Sequence, residues 1–139
     1  MAVPPIAPFG VHHVALQCRD LVAMERFYRK ILRLQVVRRW PWEDPERRGR
    51  DRSVWLALGT GYLVLEACEG EVEPPPWQTE TPGMHLLALQ IFLHNREIWR
   101  EHLEEYGVEI VYESPWTLYI RDPEGNRVGL SHFPDVAEP

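Results

Sequence analysis

Cysteine is scarce in this chain, two among 139 residues. Cys18 and Cys68 lie in apolar, strand-like stretches and form no C-x-x-C pair. That argues against a disulfide-stapled scaffold and for buried, reduced thiols in a cytoplasmic protein. Long apolar runs are missing too: none approaches the ~18 residues of a membrane span. The first ten residues, MAVPPIAPFG, have neither a basic stretch nor a long apolar core, so no signal peptide is expected. Their prolines suggest an extended arm over residues 1–9. Positive charge is in deficit, with 15 Lys and Arg against 21 Asp and Glu and a formal net charge of −6. Nonspecific nucleic-acid binding is therefore not expected.

What is present suits a globular core. The chain is 45% hydrophobic, and its length allows one compact unit or two small, closely packed ones. Thirteen prolines punctuate the loops, and several of the six tryptophans (Trp40, Trp42, Trp77, Trp116) sit beside them. Residues 11–18, VHHVALQC, read as a strand. Asp20 reads as the N-cap of an amphipathic helix over residues 21–32, with Leu21, Met24, Phe27, Tyr28, Ile31 and Leu32 at helical spacing. LQVVRRW is a further strand, and a polar loop follows at 41–52. SVWLALG and YLVLEACE then flank Gly59-Thr60-Gly61, a hairpin signal. Residues 70–83 form a Pro-rich connector. MHLLALQIFL reads as the next strand. Asn95 then caps a helix with inner stripe Ile98, Trp99, His102, Leu103 and Tyr106, and Gly107 stops it. VEIVYE, WTLYIRD and RVGLSHF close the chain as strands, the last two joined by the turn Pro123-Glu124-Gly125-Asn126. Residues 135–139 read as a frayed tail.

The order is thus strand, helix and three strands, twice. It predicts an α+β fold of two tandem βαβββ modules, residues 10–69 and 84–134, joined by the linker 70–83. Each copy opens with a histidine near the start of its first strand, His13 and His85. The first copy carries Glu66 in its last strand. Where the second should carry a matching carboxylate, the chain has Gly129.

With the repeat, the histidines and the D-P-E-G-N turn in view, the chain resembles the vicinal oxygen chelate superfamily. That group includes glyoxalase I, bleomycin- and fosfomycin-resistance proteins, methylmalonyl-CoA epimerase and extradiol dioxygenases. H-H-V-A-L-Q-C-R-D-L-x5-F-Y-R-x-I-L resembles the family's opening strand and helix through His13, Asp20, Phe27, Tyr28 and Leu32. Y-I-R-D-P-E-G-N-R-V resembles its closing hairpin. The likeness covers about residues 10–134. It implies a glyoxalase-like curved mixed sheet around a cleft, with metal ligands pointing inward from the first and last strands of the modules. Carried over by position, the ligands are His13, Glu66 and His85, and the cofactor is a divalent metal (Zn, Ni, Fe or Mn). The fourth position falls on Gly129, where the family's D-P-x-G-N-x-x motif is usually followed by Glu. The resemblance also implies a small-molecule substrate or ligand and a homodimer.

Two His and one carboxylate can hold a divalent ion with open positions for substrate oxygens. The leading expectation is therefore a glyoxalase-type, metal-dependent lyase or isomerase acting next to a carbonyl, with Glu66 as ligand and base. An extradiol-type dioxygenase on the same residues is the second. The third is a metal-free binding or resistance protein of the bleomycin-resistance type, favoured by the tryptophans and by the room Gly129 leaves for a ligand. Simpler roles compete. A histidine in an apolar strand is commonly a satisfied polar group, and Glu66 in a buried strand needs a partner, metal or Arg. His12 is expected on the face opposite His13, and Ser131 rather than His132 shares the face of Gly129. His94 reads as solvated and His102 as packed beside Trp99. Arg47, Arg48, Arg50 and Arg52 form either a solvated loop or a lid for an anionic tail. Trp42, Trp77 and Trp116 can rim the cleft.

Overall fold

The computed structural model describes residues 6–73, 80 and 82–136. Trp77, the prolines at 74–76 and the outermost residues of the expected arm and tail lie outside the described residues. The chain divides into two compact units, Met1–Val72 and Glu73–Pro139. The first contains β1 (His13–Cys18), α1 (Leu21–Arg26), β2 (Val36–Pro41), β3 (Asp51–Leu58) and β4 (Gly61–Ala67). The second contains β5 (Leu87–Gln90), α2 (Arg96–Glu105), β6 (Tyr112–Glu113), β7 (Thr117–Arg121) and β8 (Arg127–Ser131). Their sheets have the orders β1-β4-β3-β2 and β5-β8-β7-β6. In each, the opening strand runs parallel to the closing one and the remaining pairs are antiparallel. The fold is α+β, two tandem βαβββ modules.

Local chemistry places these elements. The Asp20 carboxylate accepts from the Ala23 amide at 3.0 Å, so Asp20 caps α1. The regular helix is shorter than its periodicity predicts, because residues Phe27–Ile31 widen into a π-turn. The wider turn carries Phe27, Tyr28 and Ile31 to the buried side together, beside Met24. Gly61 is required for packing: a Cβ there would stand 2.7 Å from the His12 carbonyl oxygen, which accepts from the Tyr62 amide. Asn95 precedes α2 but makes no side-chain cap bond, since a 3-10 turn, Leu93–Asn95, leads into the helix. Gly107 ends it at φ 70°, with the Val108 amide donating to the Leu103 carbonyl at 2.9 Å. The Asp122 carboxylate accepts from the amides of Glu124 and Asn126 and from Asn126 Nδ2, at 2.8–3.0 Å, and so holds the D-P-E-G-N turn.

Each unit buries its own apolar set. In the first, Met24, Phe27 and Tyr28 join Cys18, Val54, Leu56, Leu63 and Leu65. In the second, Leu103 joins Leu89, Leu118, Ile120, Val128 and Leu130. The inner stripe of α2 differs from expectation: Ile98 is exposed and Arg96 is buried. Cys18 is fully buried and Cys68 half-buried, and neither is bridged. No helix among the described residues is long and apolar enough to cross a membrane.

Candidate functional site

Side chains alternate across a strand. With Leu63 and Leu65 on the helix side, the opposite face of the first sheet carries His13, Ala15 and Gln17 of β1. It also carries Tyr62, Val64 and Glu66 of β4 and Ser53 and Trp55 of β3. His13 stands opposite Tyr62 and packs on Trp55 with ring centroids 4.9 Å apart. His12 was expected on the other face. It precedes β1, so strand alternation does not bind it, and its Nδ1 lies 2.9 Å from His13 Nδ1, one ring donating and the other accepting. His12, His13, Trp55 and Tyr62 thus form one aromatic cluster.

Glu66 shares this face but not this place. It pairs with Gln17, four residues beyond the His13–Tyr62 pair. At about 3.3 Å per residue, that offset is about 13 Å along the strands. Among the described residues the two belong to no group of three or more His, Cys, Asp or Glu side chains able to hold a metal. Nor is Glu66 buried as its strand predicts: it is exposed near the end of β4, although Val64 on the same face is fully buried. Among the described residues it has no ion pair; it borders a depression of about 490 Å³ shared with Gln17, Trp42, Arg52 and Ser53.

The pairing also corrects how the two modules correspond. In the first unit Ala15 pairs with Val64 and Leu16 with Leu65; in the second Ala88 pairs with Gly129 and Leu89 with Leu130. The third strands agree, with Trp55 opposite Val64 and Tyr119 opposite Gly129. Hence Gly129 corresponds to Val64 and not to Glu66, whose counterpart is Ser131. The counterpart of His13 is Leu86, and that of His85 is His12. A slip of one residue exchanges the faces of a strand, which is why matching His13 to His85 misled. The A-L-Q stretch present at 15–17 and at 88–90 is the signal that finds the true alignment.

Gly129 does not leave open room either. A Cβ there would stand 3.0 Å from the Thr117 methyl and 3.5 Å from Leu86 Cδ1, so the chain's own side chains occupy the space. His85 lies just before β5, and the Arg127 guanidinium donates to its Nδ1. A lone pair so engaged, beside a fixed positive charge, is poorly disposed toward a cation. Among the described residues, neither unit gathers three or more His, Cys, Asp or Glu side chains into a group able to hold a metal. The four corresponding positions, His13, Val64, Leu86 and Gly129, offer one metal donor between them. This set does not fit a divalent ion.

The other singled-out residues have structural partners. His132 is buried: its Nδ1 lies 2.7 Å from the Asp135 carbonyl and its Nε2 2.8 Å from the Arg96 guanidinium. Arg96 also donates to Glu113 and to the Ser114 carbonyl. The Arg100 guanidinium, donating to Glu113, holds that carboxyl down at about 2, with Arg96 adding to the effect. Arg39 donates to Glu25 and Asp51 and holds the Glu25 carboxyl below its ordinary range. Composition alone pointed to none of these clamps. His102 packs edge-on against Trp99, and His94 is exposed and stacks on Phe92. In the 41–52 loop Arg47 lies over the Trp42 ring and pairs with Asp44.

Fold and motifs agree with one family. The model described as the Glyoxalase/Bleomycin resistance protein/Dioxygenase superfamily matches residues 10–130, and the chain belongs to that superfamily. A glyoxalase/dioxygenase from Nostoc punctiforme is 23% identical, with a TM-score of 0.76 over 97% of this chain and 100% of its own. A lactoylglutathione lyase from Agrobacterium tumefaciens is 22% identical, with a TM-score of 0.64 over 91% of this chain and 95% of its own. A mutant of the fosfomycin resistance protein FosX from Listeria monocytogenes, complexed with Mn(II) and 1S,2S-dihydroxypropylphosphonic acid, is 18% identical. Its TM-score is 0.67 over 90% of this chain and 93% of its own. At these identities the likeness is one of fold.

Proposed function

We propose that this protein binds a small organic molecule without a metal ion, as a binding or resistance protein of the bleomycin-resistance type. One observation carries the reading: of the positions the strand pairing makes equivalent, His13 and Leu86 at the start of the opening strands and Val64 and Gly129 on the closing ones, only His13 is a metal donor. Aromatic groups take the place of ligands, with Trp55 and Tyr62 beside His13 on one sheet and Tyr119 opposite Gly129 on the other. Such surfaces bind by apolar burial and stacking. The test is a thermal-shift screen of small aromatic and acyl compounds, run with and without a chelator. Stabilisation indifferent to the chelator is expected; stabilisation seen only with a divalent ion would overturn the reading.

A second reading is favoured by the Mn(II) complex of the FosX neighbour. In it His13, Glu66 and His85 hold a divalent metal and Glu66 serves as base, for glyoxalase-type lyase or isomerase chemistry or extradiol-type oxygenation. Bound ion lost on replacing any one of the three would support it. In either case we propose a homodimer, supported by the exposed apolar residues Ile6, Phe9, Val11 and Val37.

A further inference from the structure

The two units treat one row of side chains differently. In the second, Gln90, Ser131 and Thr117 stand side by side across β5, β8 and β7, and the Thr117 hydroxyl donates to Ser131 Oγ at 2.9 Å. The same row in the first unit is Gln17, Glu66 and Ser53, across β1, β4 and β3. Here nothing closes the row: among the described residues none of the three side chains makes a hydrogen bond or ion pair. Ser53 is only 5% exposed, and a buried hydroxyl without a partner is costly. No fully buried side-chain polar atom among the described residues lacks a partner, so the Ser53 hydroxyl opens onto the depression of about 490 Å³ that Gln17 and Glu66 also line. Against the single guanidinium of Arg52 stand the carboxylates of Glu66 and Glu69, so this lining is net negative, like the chain as a whole. Trp42 and Val72 add apolar surface to it.

We propose that this depression binds a small organic primary ammonium ion, its three N–H groups donating to the Glu66 carboxylate, the Ser53 hydroxyl oxygen and the Gln17 amide oxygen. The assignment needs Glu66 free of metal and so rests on the metal-independent reading above, at a second place on the sheet, four residues along from His13. Neighbouring strands lie ~4.8 Å apart, and the longer Gln17 and Glu66 side chains can lean toward the short Ser53. An ammonium has three donors and no acceptor, which matches a row of three acceptors with a carboxylate at its centre. Its apolar body then lies against Trp42 and Val72.

The experiment is calorimetric titration of the full chain at neutral pH, in chelator, with three probes. These are 2-phenylethylamine, the neutral 2-phenylethanol, and trimethyl(2-phenylethyl)ammonium, which keeps the charge but has no N–H donor. The amine should bind about tenfold or more tightly than either control, the scale of a hydrogen bond to a charged group. Glu66→Gln should weaken the amine about tenfold and leave the alcohol unchanged. Ser53→Ala should weaken the amine about fivefold, and Ser53→Thr, which keeps the hydroxyl, should restore most of the loss. Circular dichroism checks that each variant folds. No binding of the amine, binding no tighter than that of either control, or affinity indifferent to both Glu66→Gln and Ser53→Ala would overturn the assignment. Failure of the amine while aromatic or acyl compounds still bind in chelator sinks this assignment alone. If the amine binds only once a divalent ion is supplied, the metal-independent reading fails instead.

Discussion

Both units fasten their helix to the edge strand of their sheet through arginine and carboxylate, with the charges exchanged. In the first unit Arg39 of β2 reaches Glu25 of α1 and Asp51 of β3. In the second, Arg96 and Arg100 of α2 reach Glu113 of β6. Burial separates the two clamps: the Arg39 side chain is 43% exposed and that of Arg96 only 9%. Arg39 works in water, where a pair contributes little. Arg96 is also the partner of His132 Nε2 and of the Ser114 carbonyl, and removing it strands polar groups away from solvent. The same topology thus tolerates an open clamp in one copy and depends on a closed one in the other.

The largest expected effect breaks the closed clamp. Arg96→Met should destabilise the second unit by about 2–3 kcal/mol in urea unfolding, since it leaves Nε2 of buried His132 without its partner. Arg39→Met should cost under about 1 kcal/mol. Equal losses would mean that burial does not distinguish the clamps. Next in size is Gly129→Glu, expected to cost about 1–3 kcal/mol, because its Cβ meets Thr117 and its carboxylate lands beside Leu86. Tighter metal binding by this variant would restore the second reading of function.

Acid should weaken both clamps, since arginine holds Glu25 and Glu113 below their ordinary range. Glu113 is held at about 2 against an ordinary 4.5. Its stabilising contribution is therefore complete above about 4.5 and is lost as pH falls to about 2. Glu113→Gln should flatten the acid limb of stability against pH, and an unchanged limb would place the loss elsewhere. The smallest effect is expected at Glu66. Exposed and without an ion pair among the described residues, it should tolerate Gln within about 0.5 kcal/mol by thermal unfolding.

Elements were legible in the sequence where one local cause decides them. Asp20 capped its helix, Gly107 ended the second, and the repeated strand–helix–three-strand order gave both sheets. Register was not legible to the same degree, because His13 and His85 are conspicuous and the plain A-L-Q stretch is not. Chemistry drew the alignment to the histidines, whereas backbone pairing follows the apolar alternation. Burial of Arg96 and His132 was hidden for a similar reason. Their polarity reads as surface until Glu113, Ser114 and Asp135, distant in sequence from Arg96, are seen to satisfy them.

Metal stoichiometry tests metal-independent binding most directly. The full chain, His13→Ala and Glu66→Gln would each be equilibrated with Zn, Ni, Mn or Fe(II) and titrated with a competing chelator, followed by elemental analysis. With His13, Val64, Leu86 and Gly129 at the corresponding positions, no stoichiometric ion should be retained, and the two variants should match the parent. One ion per chain, lost in both variants, would contradict that result and return the protein to the chelating members of its superfamily.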